Sequence, residues 1–169
     1  MSTIKVDTIQ TRAGAVPKAS DLGLNVTGTI LQVKTKIDDA EYNTTTSDFS
    51  ARGTGFDLAI TPSSTSSKIL ITINTRMAFQ YNNTFGAVGI YRSISGGAST
   101  NNLTGETSGN MTVGGVLSTS LTIHFIDTPN TTSAVTYAPS FKYLSGGVGI
   151  VYIGANTQGS LISLMEIGG

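Results

Sequence analysis

His124 is the chain's single histidine, and Asp127 follows three residues later. An imidazole near a carboxylate and hydroxyls is the raw material of a general base and a nucleophile. Strand alternation, however, puts His124 with Ser118, Ser120 and Thr122, on the face opposite Leu121, Ile123 and Phe125. No G-x-S-x-G elbow supplies a nucleophile, so His124 reads as a hydrogen-bonded or interface histidine. The acidic group Asp38-Asp39-x-Glu41, with Asp48 downstream, could gather oxygens around a hard cation. Its spacing fits no EF-hand loop and Lys34 and Lys36 flank it, so it reads as a solvated hairpin tip, with no metal expected. Carboxylate pairs for glycoside hydrolysis would have to come from Glu41, Glu106, Glu166 and seven Asp. No repeat of fixed period builds a platform for them. Gly86-x-x-Gly89 and Gly146-Gly147-x-Gly149 match neither a dinucleotide fingerprint nor a P-loop, and serve as turn or bulge glycines. The chain reads as a non-enzyme without a cofactor. Tyr81, Tyr91, Tyr137, Tyr143 and Tyr152 offer amphipathic contact area, most of it expected in packing and one or two rings exposed.

The elements that would hold these residues repeat with a period of two. In Lys68–Phe79, Ile69, Ile71, Ile73, Met77 and Phe79 share one face, while Lys68, Thr72, Asn74 and Arg76 share the other. Leu117, Leu121, Ile123 and Phe125 repeat the device, as do Val135, Tyr137, Phe141 and Tyr143, then Val151 with Ile153, and Leu161 with Met165 and Ile167. Turn clusters such as Thr61-Pro62-Ser63-Ser64 and Thr128-Pro129-Asn130 punctuate the runs. Strands are expected near 29–37, 55–61, 67–79, 86–94, 110–117, 118–127, 133–143, 148–154 and 160–167, with almost no helix. That count suits an antiparallel two-sheet jelly-roll sandwich over 29–169. Residues 1–28 do not fit it and read as an extended docking arm, in which Ile4, Val6, Ile9, Leu22 and Leu24 are the apolar contacts.

The 169 residues carry ten Lys/Arg and ten Asp/Glu, so 12% are charged, half the ordinary share of about 25%. In their place stand 26 Thr, 19 Ser and 10 Asn. Zero net charge excludes charge-driven disorder and a basic nucleic-acid footprint. No apolar run approaches ~18 residues, so no helical membrane insertion is expected. The absence of Cys removes disulfides and thiolate chemistry. The opening residues interleave charge with apolar groups and hold no signal-peptide core, which points to a product made in a cytoplasm. Sixteen of the twenty charges fall in residues 1–92. A neutral, β-prone second half suggests a surface covered by copies of itself. Val151, Ile153, Leu161 and Met165 are the candidate contacts between copies.

The opening Ser2-Thr3-Ile4-Lys5-Val6-Asp7-Thr8-Ile9-Gln10 resembles the amino terminus of tail-fibre-like virion structural proteins from tailed phages of marine bacteria and cyanobacteria. The segments from Ile60 to Ile71, from Phe125 to Tyr137 and from Leu161 to Ile167 are similar to that cyanophage fibre-like family in order and rough spacing. The resemblance implies a homotrimeric β-head on an N-terminal docking segment, located in the virion, with no catalytic motif. A 28-residue arm reaches at most ~100 Å, which favours a short spike or a seated knob over a long fibre.

Two functions are expected from this. The first is host attachment, with other virion proteins bound by the arm and a host glycan or envelope protein met by loops carrying Tyr81, Asn82, Asn83, Asn101, Asn102 and Asn130. The alternative is a capsid decoration, head-fibre or neck protein that stabilises the particle without a receptor.

Overall fold

The computed structural model describes residues 27–49, 51–52, 55–81, 83–97, 99–103, 111–114, 118–145, 149–154 and 159–169. Ile4, Val6, Ile9, Leu22, Leu24 and Asn82 lie outside the described residues. Among the described residues every regular element is a strand, and the strands form two antiparallel sheets.

The first sheet has four columns. β1 (Ile30–Asp38) runs on into β2 (Glu41–Thr44), and these pair with β12 (Ser160–Ile167) and β11 (Val151–Gly154) respectively. β5 (Lys68–Phe79) lies against β12 and β11 on one side and β9 (Ser118–Asp127) on the other. In the second sheet β3 (Ala51–Arg52) and β4 (Leu58–Ile60) line one edge of β10 (Val135–Ser145), and β6 (Phe85–Ile94) lies on the other. β7 (Ser99–Thr100) and β8 (Met111–Gly114) complete it beside β6. Counting columns along the chain, the first pairs with the eighth, the second with the seventh, the third with the sixth and the fourth with the fifth. The chain is thus one long hairpin, wound so that its two arms close on each other through the β12–β5 and β10–β6 pairs.

Period-two alternation makes these strands and fills the space between the sheets. Ile69, Ile71, Ile73, Met77, Val151, Ile153, Ile162 and Leu164 come from the first sheet, and Ile60, Val88, Ile90, Val135, Tyr137 and Phe141 from the second; all are fully buried in one cluster. In the eighth column Gly154 has a left-handed φ of 107°. A side chain there would collide with the Ala40 carbonyl oxygen, so the backbones of columns one and eight approach this closely only because this residue is glycine. Pro139 sits inside β10 opposite Ile90. The Ile90 carbonyl turns away to accept Leu103 N–H at 2.9 Å, so Pro139 forms a non-hydrogen-bonded pair with it. Its missing donor therefore faces the gap between the β3 and β4 pairings, where among the described residues the ladder has no partner to lose.

All nine expected strand windows overlap strands, and β2, β3 and β7 are additions of two to four residues, too short to show a period. The substitution Ile71→Ala should lower unfolding free energy by about 2–5 kcal/mol. Its outward neighbour Thr72→Ala should stay within about 0.5 kcal/mol. Urea titration of both variants measures the contrast.

Candidate functional site

The inner face does not end in hydrocarbon. Past Leu164 and Ile71, the next inward row across the first sheet is Gln32, Glu166, Ile69 and Asp127 in direct register. Glu166 is fully buried, and among the described residues no cation is paired with it. Its Oε1 accepts Ser63 N–H and Ser63 Oγ–H, both at 2.7 Å, and its Oε2 accepts Gln32 Nε2–H at 2.6 Å. The same Gln32 amide donates to the Thr61 carbonyl at 2.7 Å, tying β1 to the turn before β5. Burial alone would push the Glu166 carboxyl up, but the donors from Gln32 and Ser63 outweigh it and hold the group below its ordinary value. Asp127 is satisfied separately, by both its oxygens on Arg92 Nη1 at 2.9 and 3.0 Å and by Tyr137 O–H at 2.7 Å. Burial, together with that carboxylate, pushes the Tyr137 phenol far above its usual range.

The outer face is the reverse. A bulge at Leu31 sets Ile30 opposite Ile167 and Gln32 opposite Glu166, two residues of β1 against one of β12. Gln32, Lys34, Lys36 and Asp38 consequently face the inner layer, where Lys36 Nζ reaches the Asp57 carbonyl at 3.1 Å. Ile30, Val33 and Ile37 face out, at 55%, 50% and 67% exposure. Val33, Met165, Leu70 and Ile126 stand side by side across four columns, making one apolar row on the outside of the sheet. Above it lie Thr35, Ser163, Thr72 and His124, then Ile37, Leu161, Asn74 and Thr122. Between Lys68 at one end and Arg76 with Glu41 at the other, these rows hold no Lys, Arg, Asp or Glu. The outer face of the second sheet differs: its outward Ala87, Ala138, Ser140 and Lys142 are buried. Phe49 packs over the Lys142 ammonium, 4.7 Å from Nζ to the ring centre, and Asn102 lies against Gly89. Among the described residues, one face is covered by the chain's own loops and the other is bare.

No protein-family model matches the chain, and no curated protein is significantly similar to it. The site residues must therefore be judged by position.

His124 is exposed on the bare face and its Nδ1 lies 3.1 Å from Thr72 Oγ1, whereas Asp127 points between the sheets, so the two never meet. The acidic group is not a hairpin tip. β1 ends at Asp38 and β2 begins at Glu41 in the same column, pairing with β12 and β11 respectively. Asp38 accepts Tyr42 O–H at 2.9 Å and Glu41 pairs with Arg76 at 3.3 Å, and among the described residues no three acidic or histidine groups converge as metal ligands. Burial first, and then this Asp38 contact, push the Tyr42 phenol up.

Val151 and Ile153, expected between copies, are fully buried within the single chain and cannot touch a neighbour. Leu161 and Met165 do lie on the bare face, half-buried. The expected contact loops divide between opposite ends. Tyr81, at 50% exposure, and Asn83 lie beyond the Phe79 end of β5. Asn101 and the left-handed Asn130 are exposed at the other end, where Ser95 N–H bonds to the Ala134 carbonyl, and Asn102 is half-buried. Sequence reasoning missed Val33, Ile37, Leu70 and Ile126. The alternation Val33-Lys34-Thr35-Lys36-Ile37 says which residues share a face but not which face is inside.

Because the folded Glu166 carboxyl lies below its unfolded value, its contribution to stability is complete above about pH 4.3 and is lost as pH falls through the native value. Glu166→Gln should lower the melting temperature at pH 7, since each hydrogen bond to the charge is worth about 1.5–3 kcal/mol. The gap between native and variant should narrow from pH 5 to pH 3, as followed by circular dichroism.

Proposed function

We propose that the chain is a homotrimeric, tail-fibre- or spike-like virion component: residues 1–28 dock on another virion protein, and a jelly-roll head meets the host surface. The wound-hairpin pairing of eight columns supports the jelly roll, whose hallmark is two Greek keys in two sheets. The segments that resemble phage fibre-like proteins support the virion assignment.

The observation that carries the assembly is the bare outer face with its row Val33–Met165–Leu70–Ile126. Burying such a side chain fully is worth about 1.5–3 kcal/mol, and a lone head forgoes much of that at Ile30, Val33, Ile37 and Ile126. Columns about 4.8 Å apart and eight residues at about 3.4 Å make a patch of roughly 500 Å². Counted on two copies this reaches about 1,000 Å², the lower bound for a specific interface. A second copy is the fitting occupant: the patch is neutral, and its hydroxyl rows both donate and accept, so the same chemistry satisfies itself. Closed three-fold symmetry, which the resemblance implies, would bring the three faces together about one axis without leaving an open surface for fibre growth. Lys34 and Lys36 on the open edge of β1 disfavour edge-to-edge pairing as the route.

The first described residues, before Ile30, lie at the Lys68 end of β5, and Tyr81 lies at the opposite end. An arm anchored at the first end leaves the second facing the host.

Sedimentation of the full chain should give three times 17.5 kDa, and the double substitution Val33→Lys with Ile37→Lys should give 17.5 kDa with an unchanged β-sheet spectrum. A monomeric native chain at micromolar concentration overturns the assembly. Added to host cells, the full chain should reduce particle adsorption; undiminished adsorption counts against attachment.

A further inference from the structure

At the Tyr81 end of the bare face the pairing leaves a gap. Tyr152, Ala78 and Ser118 stand in direct register on β11, β5 and β9. A small residue between two larger cross-strand neighbours makes a floor with two walls. Arg76 closes one end, spanning the columns with Nε donating to Ser118 Oγ at 2.8 Å and Nη1 to Glu41 Oε2 at 3.3 Å. Gln80 borders the cleft as well. The open cleft has a volume of about 360 Å³, at the small end of the range of roughly 300–1,000 Å³ for small-ligand sites.

We propose that this cleft binds one neutral sugar ring of a surface polysaccharide. A pyranose has an apolar C–H face and an equator of hydroxyls. The Tyr152 ring offers a wall on which the first can stack. The guanidinium, carboxylate and amide of Arg76, Glu41 and Gln80 are planar groups that can engage neighbouring hydroxyls in pairs, and the Ser118 hydroxyl adds a single contact. Arg76 and Glu41 are already aligned by their mutual ion pair, which reduces the entropy lost on binding. The pair cancels in charge, which favours a neutral sugar over a phosphate or a strongly acidic one. An extended peptide fits poorly, because β5 and β11 are each paired on both sides here and offer no backbone edge. The cleft deepens the attachment reading and rests on it for its biological role. It also narrows the host glycan or envelope protein of that reading to a neutral sugar ring.

The test is saturation-transfer NMR on the full chain with the methyl glycosides of glucose, galactose, mannose and N-acetylglucosamine. At least one should receive saturation at its ring protons, with a dissociation constant on the order of 1 mM. Ala78→Leu fills the floor from the outer face and should weaken binding at least tenfold; Tyr152→Ala should do the same, and Tyr152→Phe should retain it. His124→Ala, further along the same face, should leave it unchanged. Saturation of none of the four by the native chain, or saturation undiminished in both Ala78→Leu and Tyr152→Ala, overturns the proposal. Attachment is read separately from adsorption: a head that blocks adsorption but binds no glycoside loses the cleft and keeps attachment, and one that binds glycosides without blocking adsorption does the opposite.

Discussion

The buried Glu166 carboxylate sets the geometry of everything around it. A full negative charge between two sheets is tolerable only if its oxygens find donors, and here three hydrogen bonds from Gln32 and Ser63 supply them. Gln32 must therefore point inward. Since a strand alternates with period two, Val33, Thr35 and Ile37 must then point outward. A slip of one residue would turn Val33 inward, but β1 is an edge strand, and even its inward Lys34 remains exposed, so the apolar gain would be partial. Against it stands a charged acceptor deprived of a donor, which costs at least about 1–3 kcal/mol. The carboxylate wins, and the apolar side of β1 is left in solvent.

That outcome turns an odd composition into a surface property. The second sheet protects its outer face with the chain's own Phe49 and Asn102, so outward alanines and Ser140 are as buried as core residues. Among the described residues the first sheet has no such cover, and it fills its outer rows with Thr, Ser and aliphatic side chains in place of charge. Hydroxyls keep a face wet without committing it to one sign, and they do not oppose a similar face brought against them. The scarcity of charge is thus concentrated where a partner would sit.

Much of this was legible before the fold was known. β5 and β9 are long enough for alternation to name the inward set, and Ile71, Ile73 and Ile123 fall where it puts them. β12 resists the same treatment because Leu161-Ile162-Ser163-Leu164-Met165 is apolar on both sides. Val151 and Ile153 mislead because a neutral stretch looks the same whether it is covered by a partner or by the opposite sheet. The acidic run Asp38-Asp39-x-Glu41 looks like a cluster in one dimension, but the pleat sends Asp38 to Tyr42 and Glu41 to Arg76. The Asn-rich loops look like one surface until the winding of the hairpin assigns them to two ends.

β5 connects the features that matter most. Leu70 sits in the apolar row and Ala78 floors the cleft, on the same face of one strand and roughly 27 Å apart at about 3.4 Å per residue. A strand paired along both edges does not bend easily, so contacts made at one end fix the direction in which the other end points. Under the proposed assembly, three copies meeting through the row would hold three clefts side by side, at the end of the head far from the arms. A single sugar ring bound at millimolar strength is too weak to retain a particle, but three clefts held rigidly on one body convert the second and third contacts into intramolecular events. Weak sites of this kind need a stiff common mount, which is what a continuous twelve-residue strand provides.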